Sequence, residues 1–120
     1  VESGVRVSGD AALLRRMIST LLENACKYAG EGGTVEVALA KAGREAHLTV
    51  RNDGPAIPAE DLPHVFERFY RADKARAGGA GGFGLGLSIA HAIAEDHGGT
   101  LTVASDDVHG TTFTAALPLV

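Results

Sequence analysis

LLENACKYAG (residues 21–30) places an acid, an amide, a thiol, a lysine and a phenol inside a segment that otherwise scans as an apolar helix. Its surroundings support the helix. Leu14, Met17, Ile18, Leu21, Leu22 and Ala25 fall on one arc at ~100° per residue, and Asp10 is a fair N-cap, so a helix is predicted from Asp10 to about Ala29. With Thr20 taken as zero, Asn24 falls near ~40°, Lys27 near ~-20° and Tyr28 near ~80°, beside an aliphatic arc running from ~60° to ~200°. Glu23 points ~100° away from Asn24, toward solvent. A carboxamide, an ammonium and a phenol at this spacing on the border of the core can line one side of a cleft. They suit a nucleotide: an amide oxygen for Mg²⁺, a lysine for phosphate and a ring to lie against a base. The same residues also read as a surface amide, a snorkelling lysine and a core-edge ring. Taken alone, the stretch favours that plainer reading.

Working outward, TVEVALA (34–40) and AHLTVRN (46–52) alternate apolar and polar residues across KAGRE, which predicts an antiparallel hairpin. GPAIP is a turn around two prolines. LPHVFERFYRAD (62–73) reads as a brief helix and its exit, and RADKARAGGAGG (71–82) has little that could pack, which predicts a mobile segment. A second helix is predicted from about Leu85 to His97, with Leu87, Ala90, Ile93 and Ala94 toward the core and Gly98-Gly99 ending it. TLTVAS (100–105) and TTFTAALPL (111–119) form a second predicted hairpin across DDVHG. The order predicts an α+β two-layer sandwich, a mostly antiparallel mixed sheet with its helices packed on one face.

With 120 residues the chain fits one domain able to bury its own core. Cys26 is the single cysteine, so no internal disulfide forms, and the other ligand types show no zinc-like clustering. A net charge of -4, two Tyr, four Phe and no Trp argue against a nucleic-acid binder built on a basic face with stacking aromatics. No apolar run approaches the ~20 residues that span a bilayer. Sixteen glycines are unevenly spread, and six fall between Gly78 and Gly86.

In GGFGLGLSIA (81–90), Gly84 and Gly86 stand at the start of the second helix, where free N–H groups and the positive dipole end attract phosphate. The stretch fits neither the dinucleotide fingerprint, which would need glycine at Ile89, nor a Walker A loop, which would need Gly-Lys-Ser/Thr. Its plainer reading is a flexible linker feeding a helix. Against that, Arg71, Lys74 and Arg76 concentrate positive charge in the adjoining segment of an acidic chain, as a lid over polyphosphate would.

These residues together resemble a known family. LLENACKY looks like the N box, NDGPAIP the G1 box, LPHVFERFYRAD the F box and GFGLGLSIA the G2 box of the catalytic and ATP-binding domain of two-component sensor histidine kinases. That domain belongs to the superfamily of type II topoisomerases, the ninety-kilodalton heat-shock chaperones and a mismatch-repair ATPase. HGGTLTV followed by GTTFTAALPL resembles its C-terminal strands, and the motifs, in the family's order, cover nearly the whole chain. The resemblance implies the Bergerat ATP-binding fold over residues 1–120, with an ATP lid at about 71–84. It implies ATP and Mg²⁺ as ligands, with Asn24 on the metal, Lys27 on phosphate and Tyr28 on the adenine. Gly84 and Gly86 would present backbone amides to the phosphates, and Phe66 and Phe69 would anchor the lid. Asn52, Gly54, Ala56, Ile57, Arg71, Leu85 and Leu87 complete the implied nucleotide-binding set. The implied reaction, for which Asn24 and Lys27 are the catalytic candidates, moves the γ-phosphoryl of ATP to a histidine on a separate dimerisation domain. The implied partners are that domain and a response regulator, with no nucleic acid. The implied setting is the cytoplasmic part of a membrane-anchored bacterial sensor, held to the membrane only by other parts of it.

Three positions depart from the family pattern. The G1 box usually reads Asp-x-Gly-x-Gly; here Asn52 stands for the aspartate and Ala56 for the second glycine. Asn52 can still accept a hydrogen bond from the base but brings no charge, which leaves Asp53 as a turn residue or a water-mediated neighbour. Ala56 adds a methyl near the base. The third departure is Thr20, one turn before Asn24, which is no general base at neutral pH, so fast ATP hydrolysis is disfavoured. None of His47, His64, His91, His97 and His109 sits in a phosphoacceptor motif. A nucleotide-binding regulatory pseudo-kinase and an anti-sigma-type serine kinase of the same fold remain as alternatives.

Overall fold

The computed structural model describes residues 6–30, 32–54, 56–67 and 86–119. Its sheet has four strands, β1 (Val35–Ala42), β2 (Glu45–Asn52), β3 (Thr100–Asp106) and β4 (Gly110–Pro118), in the order β1-β2-β4-β3. Expected to be mostly antiparallel, the sheet has only antiparallel pairings among the described residues. Both predicted hairpins form, and their two long strands, β2 and β4, pair at the centre. Alternation decides which face is inward. Leu48 and Val50 of β2, Phe113, Ala115 and Leu117 of β4 and Leu101 and Val103 of β3 join one core, with Phe113 fully buried at its middle.

Two helices cover that face. Helix α1 (Ala11–Ala29) begins where the Asp10 carboxylate accepts the N–H groups of Ala12 (2.9 Å) and Leu13 (3.1 Å), satisfying two of the first turn's orphan donors. Met17, Leu21 and Ala25 are fully buried, and Leu14 and Leu22 pack against the core. Ile18 departs from that pattern and is 36 % exposed. It lies near ~160° on the wheel, between fully buried Ala25 and core-packed Leu22, so it shares their direction but is covered less completely at its level of the helix.

Helix α2 (Gly86–Asp96) buries Leu87, Ala90, Ile93 and Ala94, the four residues its spacing predicted. Just past its end, His97 Nδ1–H donates to the Ile93 carbonyl (2.7 Å) while Nε2 accepts the Asp10 N–H (3.0 Å). A carbonyl only accepts and an amide N–H only donates, so these two partners match Nδ1 as donor and Nε2 as acceptor. One imidazole thus ties the end of α2 to the start of α1. The brief helix predicted from Leu62 is a single 3-10 turn, Leu62–His64, with proline in its first positions. Directly after it Val65 is fully buried, and the Phe66 ring stacks on His91 of α2 at 4.8 Å. The exit of that segment, with Phe69, and the segment predicted to be mobile lie outside the described residues.

Candidate nucleotide-binding site

The inward positions of β2, β4 and β3 are apolar until one end of the sheet, where three polar residues take their place. Asn52 on β2 is in register with Thr111 on β4, and Thr111 with Ser105 on β3, so the three form a row across adjacent strands on the helix-covered face. Asn52 is 1 % exposed and Thr111 5 %. The Ser105 and Thr111 hydroxyls share a hydrogen bond of 2.7 Å. Asn52 Nδ2 donates to the Asp53 carbonyl (2.7 Å), yet its Oδ1 is buried without a partner among the described residues. Such an acceptor costs roughly 1–3 kcal/mol. An unpaired oxygen inside a fold is what a ligand donor would satisfy.

The turn leaving β2 is tied down on both sides. The Asp53 N–H donates to Thr34 O (3.1 Å) and the Ile57 N–H to Ser105 Oγ (2.8 Å). Arg51 reaches three segments at once: its Nη1 donates to Glu36 (2.6 Å), its Nη2 to Asp53 (3.0 Å) and its Nε to the His109 carbonyl (2.7 Å). The Asp53 carboxylate is therefore engaged by Arg51. Between these ties Gly54 has φ 128°, and a Cβ there would strike the Tyr28 carbonyl of α1. Backbone thus passes directly against backbone where the turn meets the helix. Ala56 and Ile57 are half-buried, Ile57 against the core.

Along α1 the other candidates follow. Tyr28 is half-buried against the core, Asn24 is half-buried and Lys27 is exposed in the last turn, where its charge also suits the helix's negative end. At Thr20 the helix meets α2, since a Cβ on Gly86 would lie 3.3 Å from Thr20 Cγ2. From Thr20 to Tyr28 is ~12 Å along the helix axis. That stretch joins the polar end of the sheet to the start of α2, whose first turn carries no acidic residue against its positive dipole end. The Leu87 side chain is core, 1 % exposed, so toward a ligand it has only its backbone to offer. Arg71, Gly84 and Leu85 lie outside the described residues.

Sequence reasoning missed Ser105, Thr111 and Arg51. A signal existed for the first two, because each is a polar residue at an inward position of its strand. The five histidines are all engaged: His47 with Glu45, His64 with Glu67, His91 with Phe66 and Glu95, His97 with Asp10 and Ile93, and His109 with Asp106.

Residues 9–120 match the family described as histidine kinase-, DNA gyrase B-, and HSP90-like ATPase. The sensor-like histidine kinase SenX3 of Mycobacterium tuberculosis is 42% identical over 116 residues, 97% of this chain and 28% of that protein. The sensor histidine kinase YkoH of Bacillus subtilis is 44% identical over 108 residues, 90% of this chain and 23% of that protein. The chain spans about a quarter of the length of these curated relatives. Among solved structures, the mycobacterial sensor histidine kinase MprB superposes with a TM-score of 0.83 at 36% identity, covering 94% of this chain and 76% of that one. Histidine kinase ThkA in complex with the response regulator TrrA gives 0.80 at 27% identity, covering 99% of this chain and 32% of that one. The buried acceptor, the close-approaching glycine turn and a helix whose described first turn carries no acid thus stand in a chain that belongs to the histidine kinase-, DNA gyrase B- and HSP90-like ATPase family, a family whose fold binds ATP.

Proposed function

We propose that the chain binds Mg·ATP between the polar end of its sheet and α1, and donates the γ-phosphoryl to a histidine on a separate dimerisation and phosphoacceptor domain. The observation that carries the nucleotide half is the buried, unpaired Asn52 Oδ1. With Nδ2 held by the Asp53 carbonyl, Asn52 offers the cleft an acceptor, which suits the amino group of adenine and opposes the keto oxygen of guanine. Gly54, Ala56, Ile57 and the Tyr28 ring would surround the base. Lys27 and the backbone at Gly86 and Leu87, with Gly84 and Leu85 before them, would meet the phosphates. Arg71 would act from a lid at about 71–84.

Asn24 would hold Mg²⁺ through its amide oxygen. Among the described residues no group of three His, Cys, Asp or Glu could hold a metal, so a divalent ion would be carried mainly by the triphosphate oxygens and water, as Mg²⁺ commonly is. When bound, the ion neutralises charge developing on the phosphates. Catalysis then rests on positioning and charge neutralisation, with the nucleophile brought from elsewhere. The engagement of all five histidines within the domain supports an acceptor in trans, and Thr20 supplies no base for water, which keeps hydrolysis slow.

Relatives named sensor histidine kinases and the ThkA–TrrA complex support a response regulator as the downstream partner. No helix among the described residues is long and apolar enough to cross a membrane, so anchoring to the cytoplasmic face would come from other parts of a longer protein. Calorimetric titration with ATP, ADP and GTP, followed by transfer of labelled γ-phosphate to a histidine-bearing dimerisation domain, tests the proposal. Micromolar to sub-millimolar ATP binding, a clear preference over GTP and an acid-labile phosphohistidine are expected. No heat at millimolar nucleotide would leave a domain that signals by shape alone, and a phosphorylated serine would point to the serine-kinase alternative.

A further inference from the structure

The turn from Asp53 to Ile57 is anchored at its start by Thr34 and Arg51, and at its far end by a hydroxyl 48 residues away on β3. Ser105 Oγ accepts the Ile57 N–H at 2.8 Å and is itself held by Thr111 at 2.7 Å. Thr111 is in register with Asn52. The segment that follows the buried acceptor and the row that contains it therefore meet through one serine oxygen. Gly110 presses the same hairpin onto the turn: its φ is 79°, and a Cβ there would strike the Asn52 carbonyl. Without the Ser105 hydroxyl, the Ile57 N–H of a half-buried residue loses its acceptor and the turn is fixed at one end only.

We propose that Ser105 is the positioning residue of base recognition, holding the Asp53–Ile57 turn at the distance from Asn52 that the adenine requires. It touches no nucleotide and acts through Ile57 and Thr111. The inference rests on the adenine reading above, but adds a residue outside all four family motifs. Its energetic content is preorganisation: a segment already tied at Asp53 and at Ile57 loses less freedom on binding than one the ligand must tie down.

The test uses two variants of nearly equal shape, Ser105→Thr, which keeps the hydroxyl, and Ser105→Val, which lacks it. Thermal unfolding first verifies that each is folded. In calorimetry, Ser105→Thr should bind ATP like the unaltered chain, while Ser105→Val should bind about tenfold more weakly, the scale of one well-placed hydrogen bond. The preference for ATP over GTP should shrink with it, which a merely structural loss would not produce. Without nucleotide, amide exchange at Ile57 should accelerate in Ser105→Val and stay slow in Ser105→Thr. Equal ATP affinity and equal Ile57 protection in both variants would overturn the proposal, as would equal weakening of both. An unaltered chain that takes up no ATP, with Ile57 still protected by the serine, would overturn the adenine reading and the recognition role together while leaving the tether standing.

Discussion

On the sheet side of the cleft the polar groups are built into the fold, whereas on the helix side they stand partly in water. Asn52 and Thr111 are 1 % and 5 % exposed, their partners are protein atoms, and one oxygen is left without any among the described residues. Asn24 is only half-buried and Lys27 is exposed. The two sides therefore bear different costs before a ligand arrives. The sheet side has already been desolvated and fixed, at the expense of roughly 1–3 kcal/mol for an unpaired acceptor. The helix side keeps its hydration and acts through charge, which salt screens. One side reads shape and donor pattern, and the other supplies attraction for a polyanion.

Changes at the seam and on each side should separate these roles. The largest effect is expected at Gly54, where the sides touch: Gly54→Ala puts a methyl at φ 128° against the Tyr28 carbonyl. Backbone strain plus displacement of α1 from the turn should cost ~3 kcal/mol, visible as a lower urea midpoint with ATP binding lost. Near-normal stability would mean the turn and helix are not locked together. Next is Asn52→Leu, which removes the orphaned acceptor and fills its volume. ATP affinity should fall roughly 10- to 100-fold while stability barely changes, because loss of the Asn52–Asp53 hydrogen bond is offset by relief of the unpaired oxygen. A large drop in melting temperature would show that Asn52 serves the fold first. Smaller again is Asn24→Ala on the hydrated side, expected to weaken Mg·ATP about tenfold and to leave ATP in EDTA unaffected. Equal loss under both conditions would remove Asn24 from the metal.

The same contrast explains what was legible in the sequence. The helix side is local: spacing placed Asn24, Lys27 and Tyr28 beside the apolar stripe, and Asp10 marked the start, all within one segment. Ile18 misled because periodicity gives the direction of the buried face but not how completely each turn along it is covered, which depends on where the neighbouring elements lie. The sheet side is non-local. Ser105 and Thr111 share one hairpin, six residues apart, but Asn52 meets Thr111 from 59 residues away and the Ile57 N–H reaches Ser105 across 48. Each betrayed itself only as a polar residue sharing the inward parity of its strand, with Leu48 and Val50, with Phe113 and Ala115, and with Leu101 and Val103. Their convergence in one row required the strand order β1-β2-β4-β3, which hairpin signals do not specify. Arg51 gave no signal, since one outward arginine on a strand is ordinary.

The smallest expected effect lies just beyond the sheet side, in the β3–β4 turn that carries the His109 carbonyl to Arg51. There Asp106 accepts the backbone N–H groups of His109 (2.5 Å) and Val108 (2.9 Å) and faces the His109 ring at 3.1 Å. The His109 backbone hydrogen bond first, then its side chain, hold the Asp106 carboxyl below its usual value. A carboxyl whose folded value is depressed stabilises the fold above its unfolded value, near pH ~3.9, and loses that contribution as pH falls through the lower folded value. Asp106 is fully exposed, so the contribution is slight and screened. Asp106→Ala should therefore melt slightly below the unaltered chain at neutral pH, the gap closing only under pH ~4. Asp106→Asn, which keeps an acceptor oxygen for the two N–H groups but carries no charge, should fall between them at neutral pH. If the gap between the alanine variant and the unaltered chain stayed constant down to the lowest pH at which both remain folded, Asp106 would hold the turn through acceptor oxygens alone and not through its charge. No gap at any pH would mean that Arg51 braces the base end without help from this carboxylate.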